Sequence, residues 1–155
     1  METSILIHET TFEKAREKIK KKINENKDKT IIFTSENDDL NRKILEKQSI
    51  DILLLNQAKR KDKQKQRNSG LNQVLAKIAK KKNITIGINL DEIIESKGKS
   101  RSLILARVKQ NIKLCNKNKI AMKFIMLKDK NKRNSHNLKA LATVLGMPTS
   151  MFKDF

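Results

Sequence analysis

The 155 residues contain no tryptophan and no tyrosine, and five phenylalanines are the only aromatic side chains. A platform that stacks unpaired bases needs exposed rings, so phosphate contact and shape are expected to dominate any nucleic-acid binding. The one cysteine, Cys115, cannot form an intrachain disulfide; lying on an apolar helical stripe, it reads as core and suits a reducing cytosol, so a cytoplasmic location is expected. With one proline and no low-complexity linker, residues 1–155 are expected to form one domain, long enough to bury a core without staples. No apolar run approaches the roughly 20 residues of a membrane-spanning helix, and the start METSILIHET lacks the features of a signal peptide, so no membrane partner is expected.

Negative charge is scarce as well. Thirty-six Lys and Arg face 17 Asp and Glu, a formal net charge of +19. Such an excess repels itself unless a polyanion supplies counter-charge, which points to nucleic acid. A Lys- and Asn-rich chain could also reflect compositional drift, with lysines merely solvated. Clustering weighs against that as the whole explanation, because Lys59, Arg60, Lys61, Lys63, Lys65 and Arg67 stand within nine positions against the single acid Asp62.

Strand-like and helix-like segments alternate along the chain. Ser4 to His8, Thr30 to Thr34, Asp51 to Leu55, Ile84 to Ile88 and Ile120 to Leu127 are short apolar or β-branched runs of the kind found in a covered parallel sheet. Between them lie amphipathic helices. Thr10 with Glu13 predicts a capping box before the stripe Phe12, Ala15, Ile19 and Ile23, and Ser35 with Asp38 precedes Leu40, Ile44 and Leu45. Asn68 and Ser69 offer cap oxygens ahead of Leu71, Val74, Leu75 and Ile78, and Gly70 marks a place with little room for a side chain; Asn83 ends that helix. Ser100 caps a helix bearing Leu105, Val108, Ile112 and Cys115, and Ser135 starts the last, which Gly146 and Pro148 terminate. The pattern predicts an α/β fold of βα units around a parallel sheet.

Chemistry-bearing residues are few. His8, Glu9, Asp51, Asp91, Glu92 and His136 are the candidates, and a metal-dependent hydrolase needs several His and carboxylates converging at strand ends, so neither a catalytic residue nor a metal ligand is assigned. Gly98-Lys99-Ser100 resembles the end of a phosphate-binding P-loop, but Ile93 replaces its first glycine and Glu92 and Glu95 would face the phosphates. The basic loops remain. Arg60, Lys61, Lys63, Lys65 and Arg67 are the leading phosphate contacts, followed by Lys97, Lys99 and Arg101 and then by Arg107 and Lys113. The same loop could equally serve a protein partner.

The run RNSGLNQVLAKIAKKKNITIGINL, with SRSLILARVKQNIKLCNKN and LKALATVLGM following in order, resembles protein component 3 of ribonuclease P. The resemblance covers roughly the C-terminal two thirds of the chain. It implies a TIM-barrel-like fold related to metal-dependent phosphoesterase barrels, here shortened, because about five strands are counted where a closed barrel has eight. An incomplete barrel leaves a sheet edge to be covered. It also implies a non-catalytic subunit of the ribonucleoprotein endonuclease that removes the 5′ leader of precursor tRNA. Its expected partners are ribonuclease P RNA, which uses Mg²⁺, together with protein component 2 and other protein subunits; precursor tRNA is met indirectly, and no cofactor is bound by the chain itself. A stand-alone structured-RNA-binding protein, such as a ribosome-associated one, and a degenerate phosphoesterase barrel are the alternatives.

Overall fold

A computed structural model describes residues 3–152; the expected unit 1–155 extends past these at both ends. Five strands, β1 (Ser4–His8), β2 (Thr30–Thr34), β3 (Ile52–Leu55), β4 (Thr85–Asn89) and β5 (Met122–Ile125), alternate with helices α1 (Phe12–Glu25), α2 (Asp38–Lys47), α3 (Gln73–Lys81), α4 (Leu90–Glu95), α5 (Gly98–Asn118) and α6 (Ser135–Val144). All pairings are parallel, and the spatial order β1-β2-β3-β4-β5 repeats the chain order. Right-handed crossovers that never reverse direction place successive helices on the same face of the sheet. Accordingly α1 packs beside α2, α2 beside α3, and α3 beside α5. This is the winding of a TIM-type barrel carried through five strands and left open, as the strand count anticipates.

Alternation along each strand sorts the core into two layers. Ile7, Ile31, Phe33, Leu53, Leu55, Ile86, Ile88, Met122 and Phe124 join the helices in one continuous buried cluster that also takes in Ile19, Ile44, Ala79, Ile112 and Cys115. On the other face Ile32, Ile52, Leu54 and Ile125 form a smaller buried group. Cys115 is fully buried, and desolvation pushes its thiol up to about 12. It is core, as expected.

Helix starts differ from the sequence expectation in a consistent way. Asn37 rather than Ser35 caps α2, its side-chain oxygen accepting the N–H groups of Asp39 at 2.9 Å and Leu40 at 3.3 Å. Asn72 rather than Asn68 or Ser69 caps α3, Asn89 caps α4, and Asn134 caps α6 immediately before Ser135. The capping box at Thr10 does not form: Thr11 stands at the start of α1 without a side-chain cap bond, and α5 begins at Gly98 with no contribution from Ser100. Three core assignments also change: Ile23 of α1 and Val74 of α3 are exposed, Val74 giving its place to Ala76 and Ala79, and in α5 Ile104 is buried beside Val108 and Ile112 while Leu105 is only partly buried. Gly146 ends α6 as expected: at φ 94° it lets Met147 N–H reach the Ala142 carbonyl at 2.9 Å and its own N–H reach Thr143 at 3.1 Å.

Gly87 lies on the inner face of β4. A Cβ there would stand 3.0 Å from Ile52 Cγ2, 3.1 Å from Ile125 Cγ1 and 3.2 Å from Leu54 Cδ1, three branched side chains at once. Because all three belong to the small inner cluster, none can yield without disturbing the others. Gly87→Ala is expected to lower stability by about 1–3 kcal/mol in urea denaturation. An unchanged midpoint would mean that the inner layer is loosely packed.

Candidate nucleic-acid interface

Parallel winding puts the C-terminal ends of all five strands at one rim, where the connecting loops gather. A line of polar side chains crosses the inner side of this rim. Asn89 Nδ2 donates to Asn56 Oδ1 at 2.9 Å, Asn56 Nδ2 to Thr34 Oγ1 at 3.2 Å, and the Thr34 hydroxyl to the Leu54 carbonyl at 2.9 Å. The line joins β4 to β2 and fixes the root of the loop that follows β3. Glu92, at the start of α4, holds the same root by accepting the N–H groups of Gln57 at 2.7 Å and Ala58 at 3.2 Å. Burial pushes its carboxyl up, partly offset by those two donors.

The basic loop between β3 and α3 contains two kinds of cation. Arg60 folds inward, its side chain only 9% exposed, with Nε donating to the Asn56 carbonyl at 2.6 Å and Nη1 to Asp38 Oδ2 at 2.8 Å and Asn68 Oδ1 at 3.3 Å. The guanidinium lies flat over Gly70, where a Cβ would come within 2.7 Å of Arg60 Cζ. Together with a φ of 78°, a left-handed conformation that L side chains rarely adopt, this close approach favours glycine there. Arg107 of α5 is more deeply buried, with Nε 3.0 Å from Asp62 Oδ1 and Nη1 2.9 Å from the Gln57 carbonyl. Its place among the phosphate contacts is therefore corrected: it faces the protein and braces the loop, and Arg60 acts the same way.

The remaining cations of the loop project outward. Lys63 and Gln66 exchange backbone hydrogen bonds of 2.9 and 3.2 Å, making a miniature hairpin with Gln64 and Lys65 at its tip. Lys61, Lys63, Lys65 and Arg67 are exposed and form no ion pair with any described residue. Asp62 fastens the hairpin base, accepting Asn68 N–H at 2.9 Å as well as Arg107. Behind it, Gln57 Nε2 and Asn111 Nδ2 donate to the Ser69 carbonyl at 2.9 and 3.1 Å, and Gln110 donates to Ser69 Oγ at 3.2 Å. The hairpin, Asp39 and Arg42 of α2, and the apolar side chains Leu71, Leu75 and Leu114 line a cleft of about 950 Å³.

Lys97 and Lys99 are exposed at the start of α5, and Arg101 donates to the Ile94 carbonyl at 2.9 Å from an exposed position. Lys113, also exposed, stands one turn beyond Gln110, beside the hairpin rather than with the Lys97 group. A third basic loop, Lys128 to Asn134, leaves the rim after β5. The sequence marks it as basic, yet nothing there distinguishes its lysines from ordinary surface. Its geometry does, because two of them converge on Glu95, whose carboxyl is drawn down to about 2 by Lys128, Lys130 and Asn131.

Enzymatic groups are dispersed. Asp51 accepts Ile31 N–H at 2.7 Å at the opposite end of the sheet, Asp91 is occupied by two backbone N–H groups and Asn131, and His8 and His136 are both exposed. Among the described residues, no group of three His, Cys, Asp or Glu side chains is placed to hold a metal ion, and no helix is long and apolar enough to cross a membrane.

No family model matches the sequence. Two curated relatives do, over part of their length: ribonuclease P protein component 3 of Methanosarcina acetivorans, 41% identical over 56 residues, and that of Methanosarcina mazei, 43% identical over 51 residues. The chain resembles ribonuclease P protein component 3. The matched stretches make up 36% and 33% of this chain but only 23% and 21% of those relatives. A chain in the cryo-EM structure of archaeal ribonuclease P with mature tRNA superposes with a TM-score of 0.76 at 22% identity. That match covers 97% of the present chain and 64% of the other, so the five-stranded sheet reproduces one portion of a longer chain of the same fold.

Asp62 gives the brace a pH signature. Hydrogen bonds from Arg107 and then from Asn68 hold its carboxyl below the ordinary 3.8, so the stabilisation they supply is complete above that value. It is lost as pH falls from there through the folded-state value. The Asn68 amide resonance is expected to titrate with a midpoint below 3.8, and Asp62→Asn to abolish that titration. A midpoint at or above 3.8 would show the hairpin unfastened from α5.

Proposed function

We propose that this chain is a protein subunit of ribonuclease P, acting beside the catalytic RNA in removing the 5′ leader of precursor tRNA. The observation that carries the reading is the coincidence of two likenesses, a partial sequence match to component 3 proteins and a fold match along nearly the whole chain to a chain from the ribonuclease P–tRNA assembly. The surface agrees with it: Lys61, Lys63, Lys65 and Arg67 stand exposed on a braced hairpin, and none forms an ion pair with a described acid. In the proposed mechanism these cations neutralise phosphates where RNA helices pack closely, which lowers the repulsion opposing the active RNA fold and reduces its demand for Mg²⁺. The RNA and its Mg²⁺ perform hydrolysis. Protein component 2 and other protein subunits are the expected protein neighbours, in the cytoplasm, and no cofactor is required of this chain.

Reconstitution tests the proposal. Added to cognate ribonuclease P RNA and the other subunits, the chain is expected to raise precursor-tRNA cleavage at low Mg²⁺ and to show no cleavage alone. Absence of stimulation would overturn the reading, and metal-dependent cleavage by the protein alone would replace it with a hydrolase. A second measurement addresses the hairpin. Changing Lys61, Lys63, Lys65 and Arg67 together to Gln is expected to flatten the log–log salt dependence of RNA affinity by up to about 0.9 per lost phosphate contact. An equal slope in wild type and variant would assign the hairpin to a protein partner.

A further inference from the structure

The loop after β5 contains a site built for an anion and filled by one of the protein's own carboxylates. Lys128 Nζ lies 2.6 Å from Glu95 Oε2, Lys130 Nζ lies 3.1 Å from Glu95 Oε1, and Asn131 Nδ2 donates to the same Oε1 at 3.2 Å. Two cations and an amide thus meet on a pair of oxygens. The base of the cradle is held by buried groups. Asn131 is buried, and its Nδ2 is also held by Asp91 Oδ1 at 2.8 Å; Asp91 Oδ2 in turn accepts the N–H groups of Leu127 at 2.9 Å and Lys128 at 3.2 Å. Asp91 is itself buried, so the backbone carrying Lys128 is pinned to α4. Above this base the charged groups face water: side-chain exposure is 52% for Lys128, 70% for Lys130 and 34% for Glu95. Arg133, three residues past Lys130 and exposed, donates to the carbonyls of Lys130 at 3.3 Å and Lys132 at 3.0 Å and adds positive charge to the same loop.

A phosphodiester presents two unesterified oxygens much as a carboxylate does, and each lysine ammonium has three donors, of which Glu95 engages one. We infer that the Lys128–Arg133 loop is a second phosphate-binding element for double-helical RNA, in which a backbone phosphate takes the place that Glu95 occupies in the free protein. The inference rests on the RNA-binding reading above and extends it to a loop on the neighbouring strand. Duplex is favoured over single strand because no aromatic side chain is among the groups forming the cradle, leaving phosphate geometry as the feature to be read. Glu95 has a definite role here: it keeps the two lysines in place while no RNA is bound, and it competes with the phosphate for them.

That competition gives the test a sign that a purely structural carboxylate would not share. Binding of the full chain to an RNA duplex of about 16 base pairs is measured across a salt series for wild type, Glu95→Gln and the double variant Lys130→Gln/Arg133→Gln, with circular dichroism melts to confirm folding. Glu95→Gln is expected to tighten binding several-fold at low salt and to steepen the log–log slope, and the double variant to weaken binding and flatten the slope by about 0.9 to 1.8. Weaker binding by folded Glu95→Gln, or an unaltered slope in the double variant, would overturn the inference; the double variant alone decides if Glu95→Gln fails to fold. Wild type that stimulates precursor-tRNA cleavage while these variants match it on duplex RNA would sink this element and leave the subunit assignment standing. The reverse result, altered slopes without stimulation of cleavage, would separate the two in the other direction. Retention of both variants' RNA affinity with loss of binding to an acidic protein subunit would reassign the loop to a protein contact.

Discussion

A buried guanidinium fastens the functional surface to the scaffold. Arg107 sits in the middle of α5, the longest helix, and reaches across to the carboxylate of Asp62 and the carbonyl of Gln57, the two ends of the segment from which the basic hairpin rises. Six cations within nine residues repel one another, and this contact, with those of Glu92 and Arg60, holds the loop against that repulsion. Of the six, Arg60 is bonded inward and Lys59 pairs with Glu36 at 3.1 Å, which leaves Lys61, Lys63, Lys65 and Arg67 facing outward. Arg60 serves the same end from the other side by joining the loop to Asp38 of α2. Arginine suits both positions because its planar fork satisfies several acceptors at once, as a lysine ammonium could not do in the same geometry.

The winding of the sheet determines what this surface can be. Since strand order follows chain order, the loops after β3, β4 and β5 lie side by side, and each carries basic residues. Their acids are placed with equal regularity: Asp62 under the first loop, Glu95 beside the second and third, and Asp129 paired with Lys132 at 2.7 Å. Aromatic rings are missing from all three loops. A surface of this composition distinguishes charge density and spacing, and offers little to discriminate one base from another.

Much of the fold is legible in the sequence because parallel strands covered by helices must be nearly continuous apolar runs, and TIIFT, ILLL and MKFI have few other uses. Helix starts were harder to read for a definite reason. Asn and Ser are close to equivalent as caps, and in three places the two types stand within a few residues of each other; only the position of the buried face, a tertiary property, selects Asn37, Asn72 and Asn134. Val74 shows the same limit. A helical stripe tells which residues share a face, but α2 and α5 flank α3 closely enough that the small side chains Ala76 and Ala79 fill the contact and Val74 turns to solvent. At the site, sequence finds the basic loop and misses its division of labour. Arg60 and Arg107 have the same side chain as Arg67, and no local pattern separates a cation facing inward from one facing out.

The acids of the rim follow from the same electrostatics. A protein with a net charge of +19 must fold against its own repulsion, and each rim carboxylate lowers that repulsion for the lysines next to it. Asp62 does so from beneath the hairpin, where its bonds to Arg107 and Asn68 leave the outer cations free to approach phosphate. Glu95 stands instead among Lys128 and Lys130 themselves, so in the proposed contact a phosphate would compete with it. Under the proposed phosphate contacts the two carboxylates would act in opposite senses on binding, although both support the free structure. An acid behind the cations shapes the surface, whereas an acid between them sets how strong a phosphate field is needed to open it.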